Sequence, residues 1–169
     1  DNCVARYSRY CQKFFKCPDY TSDQFADFLI DLASEENIQD WVLLPSNDHA
    51  VYTISRNQHR LKKYFNYTYQ DHEIIDNIYD KSNLLKIAKD SGVPYPDTSY
   101  PMSPDSPVDL DFPVITRGRN GLTFYKKTGE KAFLSENQSN LNNNLAHLSD
   151  KIDLFQTFTQ ELIPYNGKN

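Results

Sequence analysis

The stretch Trp41-Val42-Leu43-Leu44-Pro45-Ser46-Asn47-Asp48 decides the fold class that the sequence predicts. Four consecutive apolar residues stopped by a proline indicate a strand buried on both faces, as in a parallel sheet. Upstream, apolar residues recur at helical spacing from Asp23 to Ala33, with Thr21 or Ser22 as the expected cap. Downstream, Ser46-Asn47-Asp48 supplies caps for a helix that extends to Leu61. Helix, buried strand and helix in this order predict an α/β layer.

Further helices and a proline-rich connector follow this layer. A short strand is expected at Phe65–Tyr67, and a helix with isoleucines on one face from Asp71 to Tyr79. The next helix, from about Asp80 to Asp90, directs one group of side chains inward (Leu84, Leu85, Ala88) and another outward (Lys86, Lys89). Gly92 suits the left-handed position after that helix. Five prolines between Val93 and Asp111 exclude a helix or central strand and leave one edge strand around Asp97–Ser99.

The period of the apolar residues changes after the connector. Strands are expected at Phe112–Thr116, Leu122–Tyr125 and Lys131–Leu134. Because glycines at 118, 121 and 129 fall between them, the pattern predicts an antiparallel meander. A helix from about Glu136 to Leu148 and a final strand from Phe155 to Ile163 complete the chain, which places the boundary between the two halves within residues 79–112.

Length and charge exclude several classes of protein. The chain has 169 residues, with 18 Lys and Arg against 23 Asp and Glu, a formal charge of −5. No stretch approaches the roughly 18 apolar residues of a membrane span, and an acidic chain without a basic block is atypical of nucleic-acid binding. The three cysteines, Cys3, Cys11 and Cys17, lack metal-ligand spacing, which favours reduced thiols in a cytoplasmic protein.

Two short motifs carry potential phosphate chemistry. The stretch Arg117-Gly118-Arg119-Asn120-Gly121 places two cations and two glycines at a turn, where backbone N–H groups and positive charge suit a phosphate, although Asn-Gly also suits a plain hairpin. Asp80-Lys81 begins a helix with a lysine in the first turn, where the helix dipole disfavours a cation. That misfit is what a lysine directed at a ligand shows, and many surface lysines show it too.

Three other groups were weighed as sites. The group Ser46-Asn47-Asp48-His49 has residue types of a hydrolase triad, but residues this close together at a helix start cap the helix. The cluster Asp71, His72, Glu73 and Asp76 lacks a second histidine at a suitable offset and is interpreted as a solvated face. The strand end Gln160-Glu161-Leu162-Ile163-Pro164 exposes backbone groups that could read the edge of a base, or is a plain edge strand.

The order of these motifs resembles the ATP-grasp superfamily, specifically its carboxylate–amine ligase-like members related to the large subunit of carbamoyl-phosphate synthase. Most specific are Tyr79-Asp80-Lys81 and the following Ser91-Gly92-Val93-Pro94-Tyr95-Pro96-Asp97-Thr98. Supporting matches are Ser8-Arg9-Tyr10-Cys11, Leu43–Asp48, Ile54–Asn57, Phe112–Ile115 and Gln160–Pro164. The resemblance implies a fold in which residues 1–79 form part of a Rossmann-like pre-ATP-grasp layer. Residues 80–169 then form the α+β N-terminal lid subdomain of the ATP-grasp domain.

The resemblance also implies an activity and a set of binding residues. Such enzymes use ATP with Mg²⁺ to activate a carboxylate as an acyl-phosphate, which an amine or similar nucleophile attacks. Lys81 matches the family's phosphate-binding lysine, and Arg117 matches a second, strand-borne lysine in a Leu-Lys-Pro motif, here Thr116-Arg117-Gly118. Residues Gly118, Arg119 and Gly121 match the phosphate loop. The hinge that contacts adenine matches Gln160, Glu161, Leu162 and Ile163.

Two alternatives remain open at the level of sequence. The first is a degenerate, non-catalytic ATP-grasp relative kept for nucleotide binding or assembly, which the arginine at position 117 favours. The second is a Rossmann-like enzyme acting on a nucleotide sugar. A downstream Glu…Glu-x-Asn pattern in the parent protein would indicate the ligase, and its absence would indicate the non-catalytic relative. A preference for uridine over adenosine nucleotides would indicate the nucleotide-sugar enzyme.

The chain is expected to be an inactive piece of a longer protein. It begins with Asp1, ends in the turn-like Pro164–Asn169, and the family's Mg²⁺ ligands and catalytic arginine are expected beyond Asn169. Without metal ligands the γ-phosphate charge lacks a partner. We therefore expect the pure 169-residue chain to hydrolyse no ATP above background in a phosphate-release assay. Hydrolysis above background would contradict this expectation.

Overall fold

The computed structural model describes residues 3–67 and 71–163. Two compact units follow one another along the chain, the first up to Asp76 and the second from Asn77. In the described residues both units mix helices with short strands, which confirms the mixed α/β class. Within the same residues, every helix is too short or too polar to cross a lipid bilayer. The predicted turn at Pro164–Asn169 lies outside the described residues.

The first unit is a small helical layer around one short parallel strand pair. Its helices are α1 (Gln24–Glu35), α2 (Asp48–Arg56) and α3 (Gln58–Leu61), and its strands are β1 (Trp41–Val42) and β2 (Phe65–Asn66). A short 3₁₀ helix covers Val4–Tyr7, and α4 (His72–Tyr79) crosses into the second unit. The buried core residues are Ala26, Leu29, Ala33, Ile54, Leu61 and Phe65.

The apolar stretch at Trp41–Leu44 forms a parallel strand pair with β2, as predicted, but most of its side chains are not buried. Trp41 pairs with Phe65 and Val42 with Asn66 in parallel register. The exposed fractions are 58% for Trp41, 62% for Val42 and 74% for Leu44, whereas Leu43 packs against the core. The predicted burial on both faces is therefore wrong for the described residues. Four apolar residues in a row indicated the type of strand pairing, but a two-stranded sheet with helices packed on Leu43 and Phe65 leaves the other apolar side chains uncovered.

The helix caps of the first unit agree with the prediction in one case of two. Asn47 caps α2, because its Oδ1 accepts a hydrogen bond from the Ala50 N–H at 3.0 Å. The predicted caps Thr21 and Ser22 are wrong for α1, whose N-cap is Asp23. The predicted helix to Leu61 is also interrupted at Asn57, which separates α2 from α3.

Asp23 uses its carboxylate to connect helices instead of capping its own. Its oxygens accept hydrogen bonds from the Arg56 guanidinium and, at 3.1 Å, from the Asn57 amide. The Asn57 amide is buried and also donates to the Thr53 carbonyl at 3.0 Å. The hydrogen bonds from Arg56, and next those from Asn57, hold the pKa of Asp23 below its ordinary value.

The second unit is an antiparallel four-stranded sheet with helices. The sheet order is β3-β6-β4-β5, so β3 is an edge strand as predicted. The strands are β3 (Thr98–Ser99), β4 (Val114–Gly118), β5 (Phe133–Ser135) and β6 (Thr157–Glu161), and the helices are α5 (Lys81–Asp90), α6 (Gly121–Thr128) and α7 (Gln138–Ser149). A 3₁₀ turn at Leu154–Gln156 precedes β6. The core consists of Val114, Phe124, Leu141, Leu145, Leu148, Ile152 and Leu154.

The predicted meander is wrong because Leu122–Tyr125 is helical. The Asn120 side chain accepts a hydrogen bond from the Thr123 N–H at 2.9 Å and so caps α6. In this helix only Phe124 and Thr128 are buried. Their spacing of four residues places them on one face of a helix, whereas a half-buried strand would bury every second residue. Of the glycines expected in turns, Gly118 ends β4 and Gly121 begins α6, whereas Gly129, at φ +81°, ends α6 in the left-handed conformation.

Other predictions for this unit are confirmed. The helix expected from about Asp80 to Asp90 is present as α5, and Gly92 adopts φ +69° after it. The helix stripe of Leu141, Leu145 and Leu148 is fully buried. The final strand is present over Thr157–Glu161.

Replacing Asp23 tests the connection between α1 and the α2–α3 junction. Because the folded-state pKa of Asp23 is lowered, its stabilisation is present above the unfolded-state value of about 3.9 and is lost as pH falls through the folded-state value. Asp23→Asn should therefore lower the urea midpoint at pH 7, and the difference from wild type should shrink below about pH 4. Asp31→Asn, an exposed change on the same helix, is the control and should leave the midpoint unchanged. If Asp23→Asn lowers the urea midpoint by the same amount at pH 7 and at pH 3, the ionised carboxylate does not have the role described here.

Candidate functional site

The two phosphate motifs of the sequence contact each other in the second unit. The backbone N–H of Lys81 donates to the carbonyl oxygen of Arg119 at 3.2 Å. The Arg119 guanidinium forms an ion pair with Asp80, with 3.1 Å between Nη2 and Oδ2 and 3.2 Å between Nε and Oδ2. The start of α5 is thus joined to the segment between β4 and α6 by both backbone and side-chain contacts.

Asp80 performs two functions at this contact. Its Oδ1 accepts a hydrogen bond from the Ser82 N–H at 2.8 Å, which caps α5, while the carboxylate also binds Arg119. Arg119 is further held by the ring of Phe155, 5.4 Å from its guanidinium carbon. The charge of Arg119 is therefore partly neutralised, and its position is set before any ligand binds.

The Lys81 ammonium lies over the first turn of α6. A Cβ placed on Gly121 would be 3.4 Å from Lys81 Nζ. The first N–H groups of a helix carry partial positive charge and lack partners within the helix. An ammonium beside such a helix start makes a region of positive potential, which an anion stabilises.

Gly118 sets the direction in which the chain leaves β4. A Cβ on Gly118 would lie 2.3 Å from the Cβ of Phe124, far inside the closest approach of two carbon atoms. Phe124 is completely buried and belongs to the core of the second unit. Because α6 packs this closely on the end of β4, Arg119 and Gly121 are held beside Lys81.

Arg117 lies on the sheet face opposite to this core. Along β4 the side chains of Val114 and Thr116 are fully buried, so Ile115 and Arg117 project to the other face. Ile115 pairs with Gln160, and Gln160 pairs with Thr98. Residues paired directly across strands share a face, so Arg117, Gln160 and Thr98 belong to one surface.

The predicted adenine hinge is partly occupied by contacts within the sheet. Gln160 is buried and its Nε2 donates to Thr98 Oγ1 at 3.2 Å. A carboxylate oxygen of Glu161 accepts a hydrogen bond from the Asp97 N–H at 3.1 Å. Leu162 and Ile163 are exposed, so they are the hinge side chains that remain accessible, and Pro164 lies outside the described residues.

A cleft opens between α5 and the β3 region on this side of the sheet. It has a volume of about 390 Å³. Its lining residues are Ser82, Asn83, Leu85, Lys86, Lys89, Tyr95, Thr98, Tyr100 and Arg119. Three of them are cations and none is a carboxylate. Of the site residues predicted from sequence, Arg119 is the one that lines this cleft. The others belong to the same unit without lining it: Lys81, Arg117, Gly118, Gly121 and the hinge residues.

Lys86 and Lys89 are exposed, as predicted, and they also line this cleft, which the sequence did not indicate. Ser82, Leu85, Lys86 and Lys89 have the spacing i, i+3, i+4, i+7 and form one helix face, which lines the cleft. Leu84, predicted to point inward, is instead 43% exposed. The spacing of these residues indicates a single helix face. The sequence prediction instead placed Leu85 inside and Lys86 and Lys89 outside, because it judged each residue by its polarity alone.

The other candidate groups have structural contacts in the first unit. His72 Nδ1 lies 3.0 Å from Ser55 Oγ, and Asp76 accepts a hydrogen bond from the Tyr52 hydroxyl at 3.0 Å. Among the described residues no cluster of three or more His, Cys, Asp or Glu side chains is arranged to hold a metal ion. Cys3, Cys11 and Cys17 are free thiols.

Comparison with known proteins adds no family to these observations. No protein-family model matches the sequence, and no curated protein sequence matches it either. A function for this chain therefore has to be inferred from its motifs and from the geometry of the second unit.

Replacing Gly118 tests the close packing of α6 on β4. Gly118→Ala should destabilise the protein by about 1–3 kcal/mol, the usual effect of overpacking a core, because the added methyl group collides with Phe124. Gly121→Ala is the matched control, since its methyl group would meet only the flexible end of Lys81. Urea unfolding followed by circular dichroism measures both. Equal unfolding midpoints for the two variants would show that the approach at Gly118 is not a constraint.

Proposed function

We propose that this chain supplies the nucleotide-binding part of an ATP-dependent ligase of the ATP-grasp superfamily. The reaction activates a carboxylate as an acyl-phosphate, which an amine or similar nucleophile then attacks. The observation that carries the proposal is the contact between the Asp80-Lys81 helix start and the Arg117–Gly121 segment. These are the two motifs for which the resemblance implies phosphate binding.

The cations near this contact suit the phosphate groups of ATP. Lys81 Nζ lies beside the first turn of α6, and Arg117 projects from the sheet face shared with Gln160. Phosphoryl transfer depends on positioning and on neutralising charge, which a lysine and an arginine on the phosphate oxygens provide. An arginine at position 117 keeps the charge of the expected lysine and presents a planar fork of donors, which suits two phosphate oxygens at once.

The end of β6 is the proposed adenine contact. Gln160 and Glu161 connect the end of β6 to β3 by hydrogen bonds with Thr98 and Asp97. The apolar side chains of Leu162 and Ile163 are exposed beyond it. An adenine ring placed there would bury apolar surface against these two side chains.

In this proposal, residues 1–79 correspond to part of the Rossmann-like pre-ATP-grasp domain, and residues 80–169 correspond to the lid subdomain that covers the nucleotide. The proposal requires Mg²⁺ to accompany ATP, where the ion would neutralise charge on the β- and γ-phosphates. It assigns no metal ligand among the described residues.

Titration of MgATP into the 169-residue protein tests the proposal. Lys81→Ala and Arg117→Ala should each weaken binding about tenfold or more, because each removes a charge-assisted hydrogen bond. Lys126→Ala is the control, since this exposed lysine lies at the other end of α6 and should leave the affinity unchanged. Calorimetry at millimolar ATP gives the three affinities.

Two results would contradict the proposed function. An affinity for MgATP that is equal in wild type and Lys81→Ala removes Lys81 from the site. Affinity that falls equally in Lys126→Ala shows that net charge alone attracts the nucleotide.

A further inference from the structure

The cleft beside α5 has features of a binding site that the ATP proposal does not use, apart from Arg119. Its volume of about 390 Å³ lies in the range of small-molecule sites, roughly 300–1,000 Å³, and is far larger than one phosphate ion requires. One wall is the α5 face of Ser82, Leu85, Lys86 and Lys89, and the opposite wall carries Tyr95, Thr98 and Tyr100. Polar and apolar groups thus converge on one concave surface.

Ser82 gives independent evidence for a missing partner. The side chain is only 8% exposed, and within the described residues its Oγ has no hydrogen-bond partner. Buried hydroxyl groups are normally paired, because an unpaired one loses its hydrogen bonds to water without compensation. Ser82 lines the cleft, where a ligand oxygen would satisfy this hydroxyl.

The charge of the cleft indicates the kind of ligand. Lys86 and Lys89 make no ion pair within the described residues, whereas Arg119 is paired with Asp80. Three cations and one bound carboxylate leave a net charge of +2. A phosphate monoester, with about −1.5 to −2 at neutral pH, matches this charge, whereas a triphosphate exceeds it.

The tyrosines indicate an organic group on that phosphate. Tyr95 and Tyr100 flank the edge strand β3, and Leu85 faces them from α5. Aromatic rings with polar tips provide stacking surface for a planar or apolar group at one end and a hydroxyl at the other. We propose that this cleft binds a small organic phosphate monoester, with the phosphate at Ser82, Lys86, Lys89 and Arg119 and the carbon skeleton between Leu85 and the tyrosines.

Phenyl phosphate is the probe for this proposal, because it combines a dianionic phosphate with one ring. Calorimetric titration into the 169-residue protein should show binding at least threefold tighter than that of inorganic phosphate, which lacks the ring. Benzenesulfonate, a monoanion of similar shape, should bind more weakly than phenyl phosphate. Equal affinity for phenyl phosphate and benzenesulfonate, or no binding of phenyl phosphate, overturns the proposal.

The double variant Lys86→Ala/Lys89→Ala locates the probe. It should weaken phenyl phosphate about tenfold or more, whereas the matched double variant Lys126→Ala/Lys127→Ala, two exposed lysines in the last turn of α6, should not. An equal loss in both double variants means non-specific attraction and overturns the proposal. An affinity unchanged by Lys86→Ala/Lys89→Ala does the same.

Ser82→Ala separates a ligand contact from a structural role. Removing an unpartnered hydroxyl from a helix should leave the melting temperature unchanged or raise it, because alanine is the better helix former. The same change should weaken phenyl phosphate about threefold or more, the loss of one hydrogen bond. A lowered melting temperature with unchanged affinity assigns Ser82 to the fold and removes it from the site.

The ATP variants keep this proposal separate from the proposed function. Lys81→Ala and Arg117→Ala should retain full affinity for phenyl phosphate. If MgATP does not bind but phenyl phosphate does, the ligase proposal fails and the cleft proposal stands. If Lys81→Ala, Arg117→Ala and Lys86→Ala/Lys89→Ala weaken both ligands alike, the cleft belongs to the nucleotide site and the proposal of a monoester site is overturned.

Discussion

The contact between Gly118 and Phe124 determines the geometry of the second unit. Phe124 is completely buried, and a side chain at position 118 would collide with it at 2.3 Å. This approach holds α6 across the end of β4, so that the chain turns where Arg119 and Asn120 stand. As a result Gly121 lies under Lys81, and Arg119 reaches Asp80. A packing constraint in the core thereby sets the position of every cation discussed for phosphate binding on this segment.

Asp80 links that geometry to the cleft. The same carboxylate caps α5 through the Ser82 N–H and binds Arg119, so it fixes both the helix start and one wall of the cleft. It also reduces the local positive charge by one unit. The remaining charge of the cleft matches the dianionic phosphate that we propose for it.

Sequence reasoning succeeded where neighbours along the chain decide the structure. The cap at Asn47, the left-handed Gly92 and the leucine stripe of α7 depend on contacts within a few residues. It was wrong where distant partners decide. Leu122–Tyr125 has strand-forming residue types, yet burial of Phe124 and Thr128 against the sheet makes it a helix. Trp41, Val42 and Leu44 were expected inside, but the described chain places no second layer over them.

The same distinction between local and distant contacts applies to the candidate site. Charge, glycine content and motif order are properties of the chain, so the sequence by itself determined which residues are candidates for phosphate binding. Lys81, Arg117 and Arg119 are those candidates. Only the tertiary structure decided which of them meet, since contacts between α5 and the β4–α6 segment depend on packing in the core. It also revealed the cleft of Ser82, Lys86 and Lys89, because a concave surface requires a second wall. The β3 part of the proline-rich connector supplies that wall only when β3 pairs with β6.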